Sequence, residues 1–258
     1  MSSQQSGSLF NCFEYFRHLF AYDQVIKDVL EGRILEVGCG EGYGASYLKS
    51  HLPKTYYVAS DYYKHTLNYV KQNYPEIKLC QTLASSLSFT DNSFDAVLSF
   101  QVIEHIKEAQ TFIAEIFRVL KPSGKAFIST PNSRLRLLFF QKPWNPYHVH
   151  EYNDDQLKKV LGVSFNKVSL YGIAARDDLQ EMEMRRVKQN PLKVILRPGY
   201  RCFKNIMSRI TTNSAQGVLK INDSEKEVGA DIAVGLNDFS LSVNIHGCLD
   251  LFAIAAKV

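Results

Sequence analysis

The chain has 258 residues, 45% of them hydrophobic and 22% charged, with a formal net charge of +4. These are globular proportions, which exclude a disordered or fibrous protein, and the length suffices for a large core. No run of about 18 apolar residues occurs, MSSQQSGSLF lacks the basic start and apolar stretch of a secretory signal, and the five scattered cysteines form no C-x-x-C pair. A reduced cytoplasmic protein without zinc or a disulfide framework is expected.

In chain order, residues 8–32 carry Leu9, Phe13, Phe16, Phe20, Val25, Ile26 and Val29 at near-helical spacing, which predicts an N-terminal helical cap closed by Gly32. Residues 34–37 read as a first strand, running into Gly38, Gly40, Gly42 and Gly44 and then a helix broken at Pro53. Residues 56–59 are a second strand closing on Asp61, a helix follows to about residue 72, and residues 77–80 are a third strand. Residues 94–100 form a fourth strand, 106–120 a helix, and 125–130 a fifth strand after the turn Pro122-Ser123-Gly124. Residues 156–161 belong to a helix, 165–170 to a sixth strand and 249–256 to a last apolar strand. Strands alternating with helices predict a doubly wound α/β fold in one domain, 1–258. Residues 133–152 are expected to cover the mouth of the site, and 176–247 to be an insertion between the last two strands.

The stretch Glu36-Val-Gly-Cys-Gly-Glu-Gly-Tyr-Gly44 follows a strand and opens a helix. Glycines there let backbone approach a ligand and leave helix N-terminal amides facing it. Asp61, about 20 residues on at the next strand end, suits ribose hydroxyls. Two details oppose a dinucleotide: Tyr43 stands where the dehydrogenase fingerprint needs Gly, and Glu36 would face a pyrophosphate. A ligand with a cationic amine and no phosphate tolerates that acid.

The segments LEVGCGEGYGASYL, SDYYKHTLNYV, FTDNSFDAVLSFQVIEHI, RVLKPSGKAFISTPN and NPYHVHEY resemble class I S-adenosylmethionine-dependent methyltransferases, over about residues 14–172 and the final strand. The resemblance is greatest to small bacterial enzymes associated with surface polysaccharide synthesis. It implies a seven-stranded Rossmann-like sheet of order 3-2-1-4-5-7-6, last strand antiparallel, and S-adenosylmethionine as cofactor. It also implies that Gly38, Gly40 and Gly42 lie under the methionine part and that Glu36 acts at the ammonium, directly or through water. Asp61 would take the ribose hydroxyls and Tyr62 would flank the adenine. Leu83 stands where the family often has an adenine-reading acid, so Ala84 backbone or the Ser85 hydroxyl would substitute. Phe100, ending the fourth strand, would meet the cofactor near its sulfonium.

Methyl transfer to a neutral hydroxyl needs a base as well as alignment, and histidine suits neutral pH. His148 and His150, in the expected lid, are the candidates; fixing the lid by hydrogen bonds is their plainer role. His105 follows Glu104 just past the fourth strand. In ubiquinone-type relatives an acid, a Glu and a His in that segment hold a divalent metal; Gln101 replaces the acid here, so no metal is expected. Trp144, Tyr147 and Tyr152 would wall an acceptor. Arg17, before the glycine loop, is either a helix-surface cation or a partner for the methionine carboxylate.

Residues 185–209 hold eight of the 30 basic residues and no acid, leaving 22 basic against 26 acidic elsewhere. Beyond a solvated cap, this segment suits peripheral contact with the inner membrane face or a phosphate- or lipid-linked acceptor. The function expected is O-methylation of a sugar or other small acceptor, with no nucleic-acid partner. The alternatives are O-methylation of a quinone or lipid, and a catalytically silent cofactor-binding protein.

Overall fold

Strands that are apolar on both faces need cover on both sides, and this sheet has it. The computed structural model describes residues 5–136, 143, 145–189 and 234–258. Its strands are β1 (Arg33–Val37), β2 (Tyr56–Asp61), β3 (Lys78–Gln81), β4 (Phe94–Phe100), β5 (Leu120–Pro131), β6 (Lys167–Ala175), β7 (Phe239–Ser242) and β8 (Asp250–Ala256). They form one sheet of order β3-β2-β1-β4-β5-β8-β6-β7. The β1–β2, β1–β4, β2–β3 and β4–β5 pairs are parallel, and β8 runs antiparallel to both β5 and β6.

Helices α1 (Gln5–Asp28), α2 (Tyr43–His51) and α3 (Lys64–Asn73) pack on one face, where Phe13, Phe16, Phe20, Leu48 and Val70 meet Ile34, Tyr57, Leu98, Phe127 and Phe252. Helices α4 (Ala109–Val119) and α6 (Asp154–Leu161) cover the other, where Phe112, Ile116, Leu157 and Leu161 meet Leu35, Val58, Val97, Ile128 and Ala253. Neighbouring strand residues fall into opposite clusters, as a two-residue side-chain period requires.

The sheet has eight strands where seven were expected. The extra one, β7, pairs antiparallel with β6 at the edge and lies inside the stretch read as an insertion. Phe239 holds it: the ring is buried and packs 5.5 Å from Phe13 and 6.1 Å from Phe20, centroid to centroid. Its sequence, Phe-Ser-Leu-Ser, carries two apolar residues among polar ones and no β-branched residue, so no apolar run marks it as a strand. Helix α7 (Asp177–Gln189) follows β6, and α5 (Ser133–Arg136) follows β5. Residues 190–233, most of the basic segment, lie outside the described residues, as do 137–142 and Trp144 of the expected lid. Among the described residues no helix is long and apolar enough to cross a membrane.

Candidate active site

The carboxyl ends of β1, β2, β4 and β5 carry the site. Beyond β1 the chain turns through Gly38, Gly40 and Gly42, all at positive φ. The amides of Gly38 and Cys39 donate to the Ser60 carbonyl, which ties the loop to β2. A Cβ at Gly38 would collide with Val102 at 2.4 Å, and one at Gly42 with Val70 at 2.8 Å, so these two glycines serve packing. Gly40, at φ +51, faces open space, with no heavy atom within 4 Å of a Cβ built there. Gly44 has another reason: a Cβ there would lie 2.0 Å from the Tyr22 ring, so its absence seats α1 against α2.

Asp61 sits at the loop's mouth, one carboxylate oxygen accepting from the Gly40 amide at 3.2 Å and the other from the Tyr63 amide at 2.9 Å. Tyr62 is exposed beside it. Ala84 and Ser85 are half-buried at the centre of a turn closed by the Leu83–Ser86 bridge. Phe100 is buried at the end of β4, edge-on to Tyr22 with centroids 4.8 Å apart.

Glu36 departs from the expected arrangement. Its carboxylate is buried beneath the loop and accepts the phenol hydroxyls of Tyr22 and Tyr57. Burial pushes its pKa up, against the two hydrogen bonds that pull it down. Each carboxylate oxygen thus holds one phenol hydroxyl, and the two tyrosines fix the acid in place beneath the loop.

Next to this half lies a cavity of about 240 Å³, lined by Glu14, Arg17, His18, Gln101, Glu104, His105, Pro131, Arg136, Asn145 and His148. Four stretches build it. Helix α1 gives Glu14, Arg17 and His18, one face by the i, i+3, i+4 rule. The end of β4 gives Gln101, which takes a left-handed φ of 57° while its amide donates to the Ser129 carbonyl. A 3-10 turn, Ile103–His105, gives Glu104 and His105. The rest comes from the end of β5, α5 and the loop before α6.

Arg17 is neither a surface cation nor placed at the loop. It is buried, paired with Glu14 and, through Nε at 3.2 Å, with Asp250 at the start of β8. Against desolvation, the charges of Asp250 and Glu14 raise its pKa, while burial raises that of Asp250 to about 6. His18 is half-buried and held by desolvation at a pKa of about 4, its Nδ1 2.7 Å from the Tyr43 hydroxyl.

Glu104 is 1% exposed; desolvation pushes its pKa up to about 8, against the hydrogen bond donated by Thr130 at 2.9 Å. The Glu104 carbonyl accepts the amides of Val149 and His150, docking the second half of the expected lid onto the 3-10 turn. His105 Nδ1 donates to the Tyr147 carbonyl at 2.9 Å, and burial lowers its pKa. Ligating atoms of Glu104, His105 and His148 lie within 4.8 Å of one another, so the three can meet on one small group or ion.

The two candidate bases part company. His148 lines the cavity; His150 does not, and is exposed with its ring against Tyr152 at 4.5 Å. His150 thus stands outside the lining, because alternate positions in a loop do not guarantee a shared exposure. Tyr147 is likewise exposed, so it does not wall an acceptor, whereas Tyr152 is buried. Sequence reasoning passed over Glu14, His18, Arg136, Asn145, Glu151 and Asp250; only a helical face shared by Glu14, Arg17 and His18 hinted at part of the set.

Residues 35–128 match the methyltransferase domain family. A probable S-adenosylmethionine-dependent methyltransferase of Mycobacterium tuberculosis is 34% identical over 173 residues, 66% of this chain and 61% of that protein. The chain thus spans about three fifths of the length of the curated relatives it matches. A ubiquinone biosynthesis O-methyltransferase of Rickettsia typhi is 31% identical over 138 residues, 49% of this chain and 55% of that protein. Among solved structures, an S-adenosylmethionine-dependent methyltransferase of Thermotoga maritima superposes with a TM-score of 0.55 at 13% identity, covering 98% of this chain and 97% of that one, a likeness of fold. The cofactor such domains use fits here: Gly40 leaves an open cradle that a Cβ would fill, and Asp61 stands at its edge.

Proposed function

We propose, from a chain that carries a class I S-adenosylmethionine-dependent methyltransferase domain, that the protein methylates a hydroxyl of a polar, polyhydroxylated acceptor such as a sugar. The observation that carries this reading is the cavity lining, in which, among the described residues, Pro131 is the one apolar residue of ten. A quinone ring or acyl chain would offer nothing to the hydrogen-bonding positions that still face the cavity, at a cost of about 1–3 kcal/mol for each one left unpaired. A hydroxylated ring gives them donors and acceptors. The ubiquinone-type alternative, which the Rickettsia relative's name brings in, is disfavoured by this lining.

Gly38, Gly40 and Gly42, with Asp61, Tyr62, Ala84, Ser85 and Phe100, hold the cofactor in this reading. When bound, S-adenosylmethionine supplies an electrophilic methyl group on a positively charged sulfur. His148 Nε2 takes the acceptor hydroxyl proton. Gln101, Asn145 and Arg136 orient the acceptor. Glu104, protonated at neutral pH, donates a hydrogen bond. In this reading the Glu104–His105–His148 cluster handles protons, with Arg136 beside it. The buried Arg17–Asp250 pair ties the α1 face that lines the cavity to the start of β8.

The test is a screen of fractionated cell extract with methyl-labelled cofactor and mass analysis of the product. Label appearing as a methyl ether on a hydroxyl-rich acceptor is the expected result; label on a quinone ring or a fatty acyl carboxyl would overturn the reading. Chelator in the same assay should leave the rate unchanged.

A further inference from the structure

We infer that Glu151 is a positioning residue for His148: its buried carboxylate holds the imidazole in the tautomer whose Nε2 lone pair faces the cavity. This rests on the reading of His148 as the base.

His148 Nδ1 and Glu151 Oε1 are 2.8 Å apart, with both side chains almost out of solvent, at 6% and 2% exposure. An ionised carboxylate only accepts, so Nδ1 carries the proton and Nε2 is left with its lone pair. His148 lines the cavity and Glu151 does not, so Glu151 stands behind the imidazole and acts through it. The backbone on either side is fixed. The His148 amide donates to the Asn145 carbonyl, Val149 and His150 amides to Glu104, and the Ser133 amide to the Tyr152 carbonyl. Asn153 then caps α6 reciprocally with Gln156. The His105 ring stands edge-on to His148 at 4.8 Å and 82°, and its own Nδ1 is pinned by Tyr147, so rotation of the base is restricted from that side as well.

The second carboxylate oxygen of Glu151, Oε2, is buried without a hydrogen-bond partner among the described residues. For mere packing, that is a costly side chain: a buried acceptor left unpaired costs free energy that an apolar residue of the same size would not. The arrangement gains when His148 takes up a proton, because the carboxylate then faces an imidazolium. The proton stays on His148; Glu151 supplies orientation and charge.

The test is nitrogen-15 NMR of the histidine side chains in the full chain with S-adenosylhomocysteine bound, the His148 signals being identified by their loss in His148→Gln. The expected result is the Nδ1–H tautomer in the parent, a shift toward the Nε2–H tautomer favoured in water for Glu151→Gln, and an intermediate population for Glu151→Asp. An Nε2–H form in the parent, or the same population in both variants as in the parent, would overturn the inference. If Glu151→Gln does not fold, the parent spectrum and the Asp variant decide. With an acceptor fraction in hand, Glu151→Gln should slow transfer on the order of 10²-fold or more in the parent background and add nothing in the His148→Gln background. An equal loss in both backgrounds would make Glu151 a structural residue. The base reading fails separately, if His148→Gln transfers methyl at the parent rate whatever the tautomer.

Discussion

The glycine loop and the polar cavity lie at the same edge of the sheet but are assembled in opposite ways. The loop is local: Gly38 to Gly44 come in one run, and Asp61 reaches Gly40 from the next strand. The cavity is remote in sequence, drawing on α1, the end of β4 with its 3-10 turn, α5 and the loop before α6. The loop is set by backbone conformation, through positive φ at successive glycines; the cavity is set by side-chain pairing, through Arg17–Asp250, Thr130–Glu104 and His148–Glu151. A half made by backbone tolerates only glycine at its key points, while a half made by side chains can be retuned one partner at a time.

If the two halves are separable, their variants should fail in different assays. The largest effect is expected at His148. Replacement by Gln should cost on the order of 10²–10⁴ in single-turnover rate and leave S-adenosylhomocysteine affinity as it was; a parallel loss of affinity would join the halves. Next comes the loop. Gly40→Val places a branched side chain in the open cradle at a left-handed φ, and Asp61→Ala removes charge-assisted hydrogen bonds worth about 1–3 kcal/mol. Titration calorimetry should show binding abolished in the first and weakened about tenfold to hundredfold in the second, with unchanged melting of the ligand-free Asp61 variant.

Glu104 gives a smaller, pH-dependent effect. Its folded pKa of about 8 lies above its ordinary 4.5, so the folded chain keeps a proton that the unfolded chain releases. Below the ordinary value its burial costs nothing through ionisation; the cost grows as pH rises toward the folded value and then levels. Glu104→Gln should therefore gain stability on the parent with rising pH, by at most roughly 1.4 kcal/mol per pH unit. Urea midpoints of both chains at about pH 5 and about pH 8 measure the difference, and a constant gap would mean that Glu104 is ionised in the folded state. The smallest effect belongs to His150→Gln, expected to stay within about twofold of the parent in rate and affinity, since that ring is exposed outside the cavity.

The same contrast governs what the sequence disclosed. The alternation of apolar runs, the glycine spacing and Asp61 are short-range signals, and the strands through β5 follow from them; the sheet order is what the family resemblance implies. Gly44 looked like part of the cofactor loop, yet its missing Cβ makes room for Tyr22, 22 residues earlier, and no local pattern announces that. Arg17 belongs with Asp250, and neither periodicity nor charge counting joins residues so far apart. Glu36 was legible as an acid in an unusual place, but its two phenol partners were not, because Tyr22 and Tyr57 reach it from opposite sides of the chain. Within the loop before α6, His148 and His150 had equal standing by type and spacing; only burial against the 3-10 turn separates them.

The place of β8 in the sheet sets an order of events. It lies between β5 and β6 although it follows both, and it carries Asp250, the partner of Arg17. While the chain emerges from the ribosome, the antiparallel β6–β7 pair therefore lacks the strand that joins it to the first five. The nascent protein holds an open parallel sheet with an unpaired β5 edge until residues 250–256 arrive. Such a late, long-range closure slows folding and leaves a sticky edge exposed during synthesis, so yield in the cell should depend on translation speed and chaperone supply more than on the finished fold's stability.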